Sequence, residues 1–434
     1  MMSFLDRTFH VREAGSSVRT EFLAGLTTFV TMSYIVFVNP AILSKTGMDF
    51  NALVVATCIS SALATFLMAF LANYPIGLAP GMGLNAFFAF SVVLGMQIDW
   101  RVALTAVFVE GVIFIVLTLT KLREMVVNTI PKSLKIGISG GIGLFVAFIG
   151  LQSAGIVVKN DATIVSLGHL SGNMPALLAL GGLILMAVLE AYKVTGALLI
   201  GILAVTAASV GLNLVALPES FVSHPPSIAP IFAQLDFSML NRLDFWVIMF
   251  TFFFVDFFDT VGTLVGVCNR SGLLDKDGTL PNARGALLAD AIGTTAGAVL
   301  GTSTVTSYVE SASGIAQGGR TGLSALVTAV LFLVAMFFTP VVGMVPAYAT
   351  APALIIVGVY MMVSLRDLNF DDWTELVPSI LGFIMMPLAY SISIGIEFAI
   401  VSYVLIKLLS GKAKDVSWLM AALAFIFVVK EALS

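Results

Sequence analysis

The sequence predicts an all-α polytopic membrane protein with fourteen transmembrane segments, arranged as two inverted repeats of seven. Three observations lead to this fold class: the amino-acid composition, the spacing of the apolar runs and a weak internal repeat. Hydrophobic residues make up 59% and charged residues 11% of the 434 positions, whereas soluble domains hold roughly 45–50% and about 25%. A chain with so little charge needs lipid as part of its solvent.

Charge balance, cysteine placement and the first residues argue against several other classes. A formal net charge of −4 indicates neither a nucleic-acid partner nor an acidic tail. Cys58 and Cys268 fall in or beside predicted segments, so no disulfide framework is expected. Residues 1–20 are charged and polar and lack the apolar stretch of a removable signal peptide. The first membrane helix is expected to act as the targeting signal.

A transmembrane helix needs about 20 mainly apolar residues, and the apolar runs define fourteen segments. They are 21–39, 52–72, 77–95, 101–120, 134–155, 175–191, 194–215, 243–267, 283–300, 302–317, 321–340, 351–365, 375–391 and 393–410. The final apolar stretch, 416–433, is either a surface helix or an additional span.

The placement of lysine and arginine supports this count. If the N-terminus lies inside, sixteen of these cations fall inside and four fall outside, namely Lys45, Arg101, Lys159 and Arg242. This bias follows the positive-inside rule. We therefore expect an inner (plasma) membrane protein with both termini in the cytoplasm.

A weak repeat relates the two halves of the chain. A shift of 225 residues places 101–120 on 326–345 and 79–85 on 304–310. Seven segments per half force the halves into opposite orientations, and inverted repeats with interrupted helices are typical of secondary transporters. Chance alignment of apolar segments is the alternative.

Segments 3 and 10 are predicted to be interrupted. Residues 76–83 contain Pro80 and several glycines, and residues 301–307 are mostly threonine and serine. Proline removes a backbone donor and glycine destabilises a helix interior, and non-helical backbone at membrane depth survives only when buried in protein or lining a cavity. We expect a half-helix after each break, near Asn85 and Glu310, with its N-terminal N–H groups available to a ligand.

Acidic side chains inside the membrane mark functional sites by default. Asp256, Asp259, Thr260 and Thr263 follow the i, i+3, i+4, i+7 spacing of one helix face, so both acids are predicted to face one lumen. Buried carboxyl groups favour their protonated form. Asp256, Asp259 and Glu310 are therefore candidate proton carriers and hydrogen-bond partners for a polar, planar ligand. Helix capping or ion pairing is the alternative, although no basic residue lies inside a predicted span near them.

The remaining acids and the small residues have simpler interpretations. Glu110, Glu190 and Glu397 lie within or at the edges of spans and are interpreted as structural or interfacial. The glycines between 137 and 143 resemble a phosphate loop only superficially, and small residues at this spacing usually allow close helix packing in membranes.

No metal site, cofactor or enzymatic activity is expected. His10, His169 and His224 lie outside the spans and share no metal-ligand spacing, and no GxxxxGK[ST] motif indicates ATP-driven transport. Two intramembrane aspartates can perform acid–base chemistry in a membrane protease. Those acids should come from two facing helices, whereas Asp256 and Asp259 share one.

Four stretches of the chain resemble the second family of nucleobase:cation symporters, in its azaguanine-type purine permease branch. They are RTEFLAGLTTFVTMSYIVFVNP (19–40), GLAPGMGLNA (77–86), FVDFFDTVGTLVG (254–266) and TSTVTSYVESASG (302–314), the last running into GGRTG (318–322). The resemblance covers nearly the whole chain.

This resemblance implies a division into two domains. A core domain would comprise 21–120 and 243–340, and a gate domain 134–215 and 351–410, with a cytoplasmic N-terminus (1–20) and a hydrophobic tail (411–434). Substrate would bind between the domains, against short strands in segments 3 and 10.

The resemblance also implies proton-coupled uptake of a purine nucleobase by alternating access, with adenine favoured over guanine and hypoxanthine, and a homodimeric assembly. The implied substrate-binding residues are Asp256, Glu310, Asn85, Thr306, Ser307, Tyr308 and Val309, and the implied proton-coupling residues are Asp259, Asp256 and Glu310. Phe87 or Phe257 would hold the flat ring.

Another cargo on the same fold remains an alternative, such as uracil, xanthine or an inorganic anion. An anion carrier should present a basic residue at the broken helices, where none occurs. A passive channel is disfavoured by the inverted repeat and the acids.

Overall fold

A computed structural model describes residues 4–120, 131–271 and 282–433. Lys121, Arg123 and Lys276, three of the cations that the sequence places inside, lie outside these ranges. Within the described ranges, nine helices are long and apolar enough to cross a membrane, and three further apolar helices are shorter. The chain is a helical, multi-pass membrane protein.

All fourteen predicted segments are present, and the fold is that of two inverted repeats of seven. Their main helices are Val18–Met32 with Ile35–Leu43, Phe50–Leu67, Met82–Ala86, Trp100–Leu119, Lys132–Ser153, Met174–Ala191, Ala197–Gly211, Leu243–Ser271, Ala283–Leu300, Ser311–Ala316, Gly322–Ala335, Ala347–Met362, Trp373–Leu388 and Ile392–Leu409. Wider helical turns extend segment 2 over Met68–Ala72 and segment 3 over Phe87–Gly95.

The interruptions in segments 3 and 10 meet at the centre of the molecule. Leu78–Pro80 (β1) and Val305–Ser307 (β4) pair antiparallel, with Leu78 opposite Ser307 and Pro80 opposite Val305. The predicted strands are thereby confirmed. A separate hairpin, Val157–Asn160 (β2) with Ile164–Leu167 (β3), joins segments 5 and 6 and was not anticipated from the sequence.

Threonines on neighbouring helices form hydrogen bonds with the backbone groups at the outer edges of the two central strands. Thr65 Oγ1 accepts from Leu78 N at 2.9 Å and donates to Leu78 O at 3.0 Å. Thr294 Oγ1 does the same for Val305, at 3.2 Å and 2.9 Å. Buried backbone groups must be paired, so segments 2 and 9 close this two-stranded sheet on both sides.

This symmetry corrects the predicted register of the repeat. The half-helix of segment 3 begins at Met82, after Gly81 as its N-cap, and that of segment 10 begins at Ser311, after Glu310. As the residue before its half-helix, Glu310 corresponds to Gly81, and the strand pairing, which matches Leu78 with Val305, places it on Gly83. The predicted equivalence of Glu310 with Asn85 is wrong by either measure. Apolar segments tolerate shifts of a few residues in an alignment, whereas strand pairing does not.

The glycines of segment 5 allow close helix packing, as the small-residue interpretation expects. A Cβ on Gly143 would lie 2.5 Å from the Gly358 carbonyl oxygen of segment 12. A Cβ on Gly137 would lie 2.5 Å from the Ser379 carbonyl oxygen of segment 13. Since real Cβ contacts are never this short, segments 12 and 13 approach segment 5 more closely than any side chain allows.

The C-terminal helix, Trp418–Leu433, packs antiparallel along segment 14. Lys430 Nζ lies 2.6 Å from Glu397 Oε1, early in segment 14, and both side chains are largely buried. At the other end of segment 14, Lys407 pairs with Asp415, just before the C-terminal helix. The ring of Phe427 contacts Phe250 of segment 8.

These contacts carry the end of the chain back along the bundle. Lys430 lines a cavity of about 510 Å³ together with Asp99 and Asp244, which lie at the end of the bundle where segment 1 finishes. The first residue of segment 1, Val18, lies at the opposite end. Residues 416–433 thus run back along segment 14, as an additional span would, and the side of the membrane on which each terminus lies stays a prediction.

We expect Gly143→Leu to destabilise the protein by about 1–3 kcal/mol, the usual effect of overpacking. Gly181→Leu is the matched control, because Gly181 is exposed on segment 6 and a Cβ at that position would have no atom within 4 Å. Thermal unfolding of the two purified variants in detergent measures the difference. Equal melting temperatures would contradict the close packing.

Reporters that are active on one side of the membrane only, fused to each terminus of the full chain, should give opposite results. The physical reason is that the helix Trp418–Leu433, packed antiparallel along segment 14, would make the number of crossings odd. A fusion placed after Asp415, which removes this helix, should return the reporter to the side of the N-terminus. Identical sidedness of both termini in the full chain would refute the additional crossing.

Candidate functional site

A cavity of about 530 Å³ opens between segments 8 and 10 on one side and segments 5 and 12 on the other. Asp259 and Thr263 of segment 8 and Val309 of segment 10 form one wall. Ile142 of segment 5 and Tyr360 of segment 12 form the opposite wall. The volume falls in the range of about 300–1,000 Å³ that is usual for small-molecule sites, as does the mainly apolar lining with few polar groups.

Asp259 is half-buried and reaches this cavity, but Asp256 does not. Asp256 is fully buried, one helical turn before Asp259. The prediction that both acids face one lumen is therefore wrong for Asp256. Residues three apart on a helix differ in direction by about 60°, which is enough to turn Asp256 towards segment 4 while Asp259 faces segment 5.

Asp256 belongs instead to a cluster of three fully buried acids with Glu110 and Asp290. The carboxyl groups of Glu110 and Asp256 lie within hydrogen-bonding reach of each other. Thr304 donates to Glu110 Oε2 at 3.2 Å. Thr260 donates to Asp290 Oδ1 at 2.8 Å. Segments 4, 8 and 9 and the central strand β4 are thus connected by a continuous polar network.

Sequence reasoning underestimated this network. It interpreted Glu110 as structural or interfacial and did not single out Asp290. The available signal was the position of Asp290, a lone acid within a helix of small apolar residues, Ala283–Leu300. An acid in such a context is expensive in a membrane and is retained only where partners such as Thr260 are present.

Glu310 stands at the junction of strand and half-helix in segment 10. It is half-buried, and its Oε1 accepts a hydrogen bond of 2.7 Å from the Tyr34 hydroxyl. Tyr34 sits where segment 1 is broken between its two helices. Asp259 lies within electrostatic range of Glu310. The predicted association of Asp259 and Glu310 is therefore present, with Tyr34 as an unanticipated partner.

The other predicted substrate residues lie behind the cavity wall, except Val309. Val309 is 55% exposed and lines the cavity, whereas Asn85 is fully buried. Asn85 Oδ1 accepts a short hydrogen bond from Ser303. Thr306 bonds to Thr260 at 2.8 Å.

Tyr308 and Ser307 are also buried, and the Tyr308 hydroxyl donates to the Pro80 carbonyl at 2.5 Å. The bonds of Asn85, Thr306 and Tyr308 therefore join segment 10 to segments 3 and 8. None of these residues is in the described cavity lining. Thr306 and Ser307 fall within β4, whose side chains face the neighbouring segments.

The aromatic residues expected to hold a flat ring are also buried. Phe87 packs edge-on against Phe252 with ring centroids 4.8 Å apart, and Phe257 packs against Phe114 at 5.9 Å. Neither lines the cavity. The expectation for Phe87 and Phe257 is wrong because both rings fill helix–helix contacts at the centre of segments 3, 4 and 8.

Two cavity residues escaped sequence reasoning. Tyr360 is 41% exposed and lines the cavity opposite Asp259. Lys135, at the start of segment 5, lines the same cavity, so the expectation that no basic residue of a predicted span lies near the acids is wrong at this position. Helical periodicity identifies which face of one helix is polar, but not which helix will face it.

Comparison with known proteins places the chain in a family. The family model Xan_ur_permease, described as a permease family, matches residues 19–421. A putative permease of Methanocaldococcus jannaschii, MJ0326, is 52% identical over 99% of this chain and 98% of its own length.

Two further relatives carry more specific names. The adenine permease AdeP of Escherichia coli is 42% identical over 98% of this chain and 95% of its own length. The guanine/hypoxanthine permease PbuG of Bacillus subtilis is 44% identical over 97% of this chain and 98% of its own length.

Solved structures with the same fold are more distant in sequence. The transmembrane domain of the cyanobacterial bicarbonate transporter BicA superposes with a TM-score of 0.66 at 17% identity, over 88% of this chain and 97% of that chain. The structure of SLC26A9 superposes with a TM-score of 0.64 at 12% identity, over 94% of this chain and 68% of that chain. These two likenesses concern the fold alone. The sequence relatives and the family model together establish that the chain belongs to the permease family of nucleobase:cation symporters 2.

Proposed function

We propose that this chain takes up purine nucleobases together with protons by alternating access, with adenine as the favoured cargo. The observation that carries the proposal is the half-open cavity in which Asp259 faces an otherwise mainly apolar wall. A purine offers N–H donors at its edge and two flat apolar faces. The names of AdeP and PbuG, similar over nearly the whole chain, support the same class of cargo.

Asp259 and Glu310 are the proposed proton-coupling and substrate-edge residues. Asp259 stands in the cavity wall, and Glu310 adjoins Val309, which lines it. Each carboxylate can accept a base N–H or a proton, and two acids in electrostatic range favour binding one proton between them. The buried acids Asp256, Glu110 and Asp290 are proposed to hold segments 4, 8, 9 and 10 in register behind this site.

The division into core and gate domains is part of the proposal. Within the proposed core, segment 9 packs on segments 2 and 4, and segment 11 packs on segments 1 and 2. Within the proposed gate, segment 5 packs on segments 12 and 13, and segment 6 packs on segments 7 and 12. The cavity lies between the two groups, where movement of one against the other would expose it to either side.

Orientation and assembly complete the proposal. The bias of lysine and arginine supports a cytoplasmic N-terminus and an inner-membrane location, and a crossing by residues 416–433 would put the C-terminus outside. A homodimer is the assembly that the family resemblance implies.

Cells that lack their own purine permeases should accumulate radiolabelled adenine when they express this chain. A protonophore should abolish the accumulation, because the proton gradient drives it. Unlabelled guanine and hypoxanthine should compete more weakly than adenine, and uracil should not compete. A well-expressed protein that takes up no purine would contradict the cargo, and sodium-dependent uptake that resists the protonophore would contradict the coupling ion.

Asp259→Asn should abolish accumulation above the external concentration while leaving the protein folded in the membrane. One proton moving down a gradient of one pH unit supports about tenfold accumulation, so the variant should lose about that factor. Asp161→Asn is the matched control, since Asp161 is 94% exposed in the hairpin after segment 5. Full concentrative uptake by Asp259→Asn would remove Asp259 from the coupling mechanism.

A further inference from the structure

We propose that Tyr390, at the junction of segments 13 and 14, is the seal that closes the cavity on the side opposite its mouth. The inference rests on the alternating access of the proposed function, because it names the contact that must separate when the cavity opens to that side. Its test measures access to the cavity and needs no cargo, so the seal can fail while the proposed function stands.

The mouth of the cavity lies at one end of the bundle. The cavity lining includes Lys135 near the start of segment 5, Ser364 just after the helix of segment 12, and Gly266 near the end of segment 8, where Gly266 is exposed. These positions share one end, because odd- and even-numbered segments cross in opposite directions. Towards the other end, the described lining stops at Ile142 on segment 5 and at Phe254 on segment 8.

Tyr390 lies directly beyond this closed end of the cavity. Its ring packs edge-on against Phe145 and Phe148 of segment 5, with ring centroids 5.4 and 6.2 Å apart. Phe145 follows Ile142 by three residues, which is about 4.5 Å along a helix. From the core side, Phe90 of segment 3 meets the Tyr390 ring edge-on at 6.3 Å. These four rings form an aromatic layer between the cavity and the far end of the bundle.

The hydrogen bonds of Tyr390 with the gate are shorter than those with the core. Its hydroxyl donates to Gln152 Oε1 of segment 5 at 2.9 Å. Across the boundary, Ser91 of segment 3 donates to the Tyr390 carbonyl at 3.5 Å and accepts from Ile392 N at 3.4 Å. Bonds of this length are weak, and water can replace Ser91 at the first N–H groups of segment 14 once the boundary opens. The boundary therefore separates on the core side of Tyr390, and the ring stays with segment 5.

The two inverted repeats differ at this junction. Tyr390 has a left-handed backbone conformation with φ of 54°, and the junction of segments 6 and 7 has the same turn at Lys193 with φ of 57°. Such a φ is uncommon outside glycine. Lys193 is exposed, at the end of the bundle where the cavity has its mouth, whereas Tyr390 is half-buried between core and gate. The same turn thus carries a packed ring at the closed end and an exposed cation at the open end.

Thiol labelling of Ile142→Cys measures access to the cavity from each side of the membrane. In the proposed orientation the closed end faces outside, so intact cells and inverted vesicles present the two sides to an impermeant maleimide. The reagent should label Ile142→Cys faster from the mouth side than from the closed side. Cys58 and Cys268 are buried, and the protein without Ile142→Cys supplies the background.

Two substitutions in the Ile142→Cys protein should open the closed side. Labelling follows the fraction of molecules open to that side, so loss of the ring in Tyr390→Ala should raise the rate there by roughly tenfold. Ser91→Ala, which removes the weak bonds across the boundary, should raise it by about two- to tenfold. Tyr390→Phe keeps the ring and loses only a bond within the gate, so its rate should stay within about twofold.

Matched controls test whether the effect is specific to the boundary. Lys193→Ala alters the same left-handed turn in the first repeat, and Ser402→Ala removes a hydroxyl that bonds to the Phe398 and Ala399 carbonyls of its own helix. Both should leave the labelling rate from the closed side unchanged. An increase in either control as large as that in Ser91→Ala would overturn the assignment of the boundary.

Unchanged labelling from the closed side in Tyr390→Ala and Ser91→Ala would overturn the seal. If Tyr390→Ala fails to reach the membrane, Ser91→Ala decides the question, because it removes only one hydroxyl. Equal labelling of Ile142→Cys from both sides with Tyr390 in place would also overturn it, as would a Tyr390→Phe variant as open as Tyr390→Ala. Absence of purine uptake would refute the proposed cargo without altering these labelling rates.

Discussion

The structure depends on how backbone N–H and C=O groups are satisfied where two membrane segments stop being helical. Strands β1 and β4 pair with each other, and their outer edges bond to Thr65 and Thr294. Without these partners, each exposed backbone group would cost several kcal/mol in a lipid environment. This constraint brings segments 2, 3, 9 and 10 together, and it determines where both half-helices begin.

The same arrangement separates two populations of acids. Glu110, Asp256 and Asp290 lie fully buried behind the strands, where threonine hydroxyls supply hydrogen bonds. Asp259 lines the cavity, and Glu310 follows Val309, which also lines it. A buried polar network fixes a structure only when its members are paired, whereas an acid at a cavity keeps bonding capacity for a ligand.

Close helix packing holds the cavity wall that carries Tyr360. The glycines of segment 5 let segments 12 and 13 approach to backbone contact, so the wall that carries Tyr360 is closely packed against its neighbours. The C-terminal helix adds a further contact between the groups, since its Lys430 pairs with Glu397 of segment 14 and its Phe427 meets Phe250 of segment 8. In the proposed alternating-access cycle, movement of the core against the gate would have to preserve or exchange these contacts.

The sequence by itself determined the membrane class, the fourteen segments and the interruptions in segments 3 and 10, and it singled out Asp259 and Glu310 as candidate site residues. These features can be predicted from the sequence because composition and hydropathy depend only on the residues that a segment contains. Likewise, Pro80 interrupts only the segment in which it lies. Only the tertiary structure decided that Asp256 joins Glu110 and Asp290, and that Tyr360 faces Asp259 across the cavity. It also decided that Lys430 draws the last helix back along the bundle. These are contacts between segments distant in the chain, and helical periodicity specifies a polar face without specifying its partner.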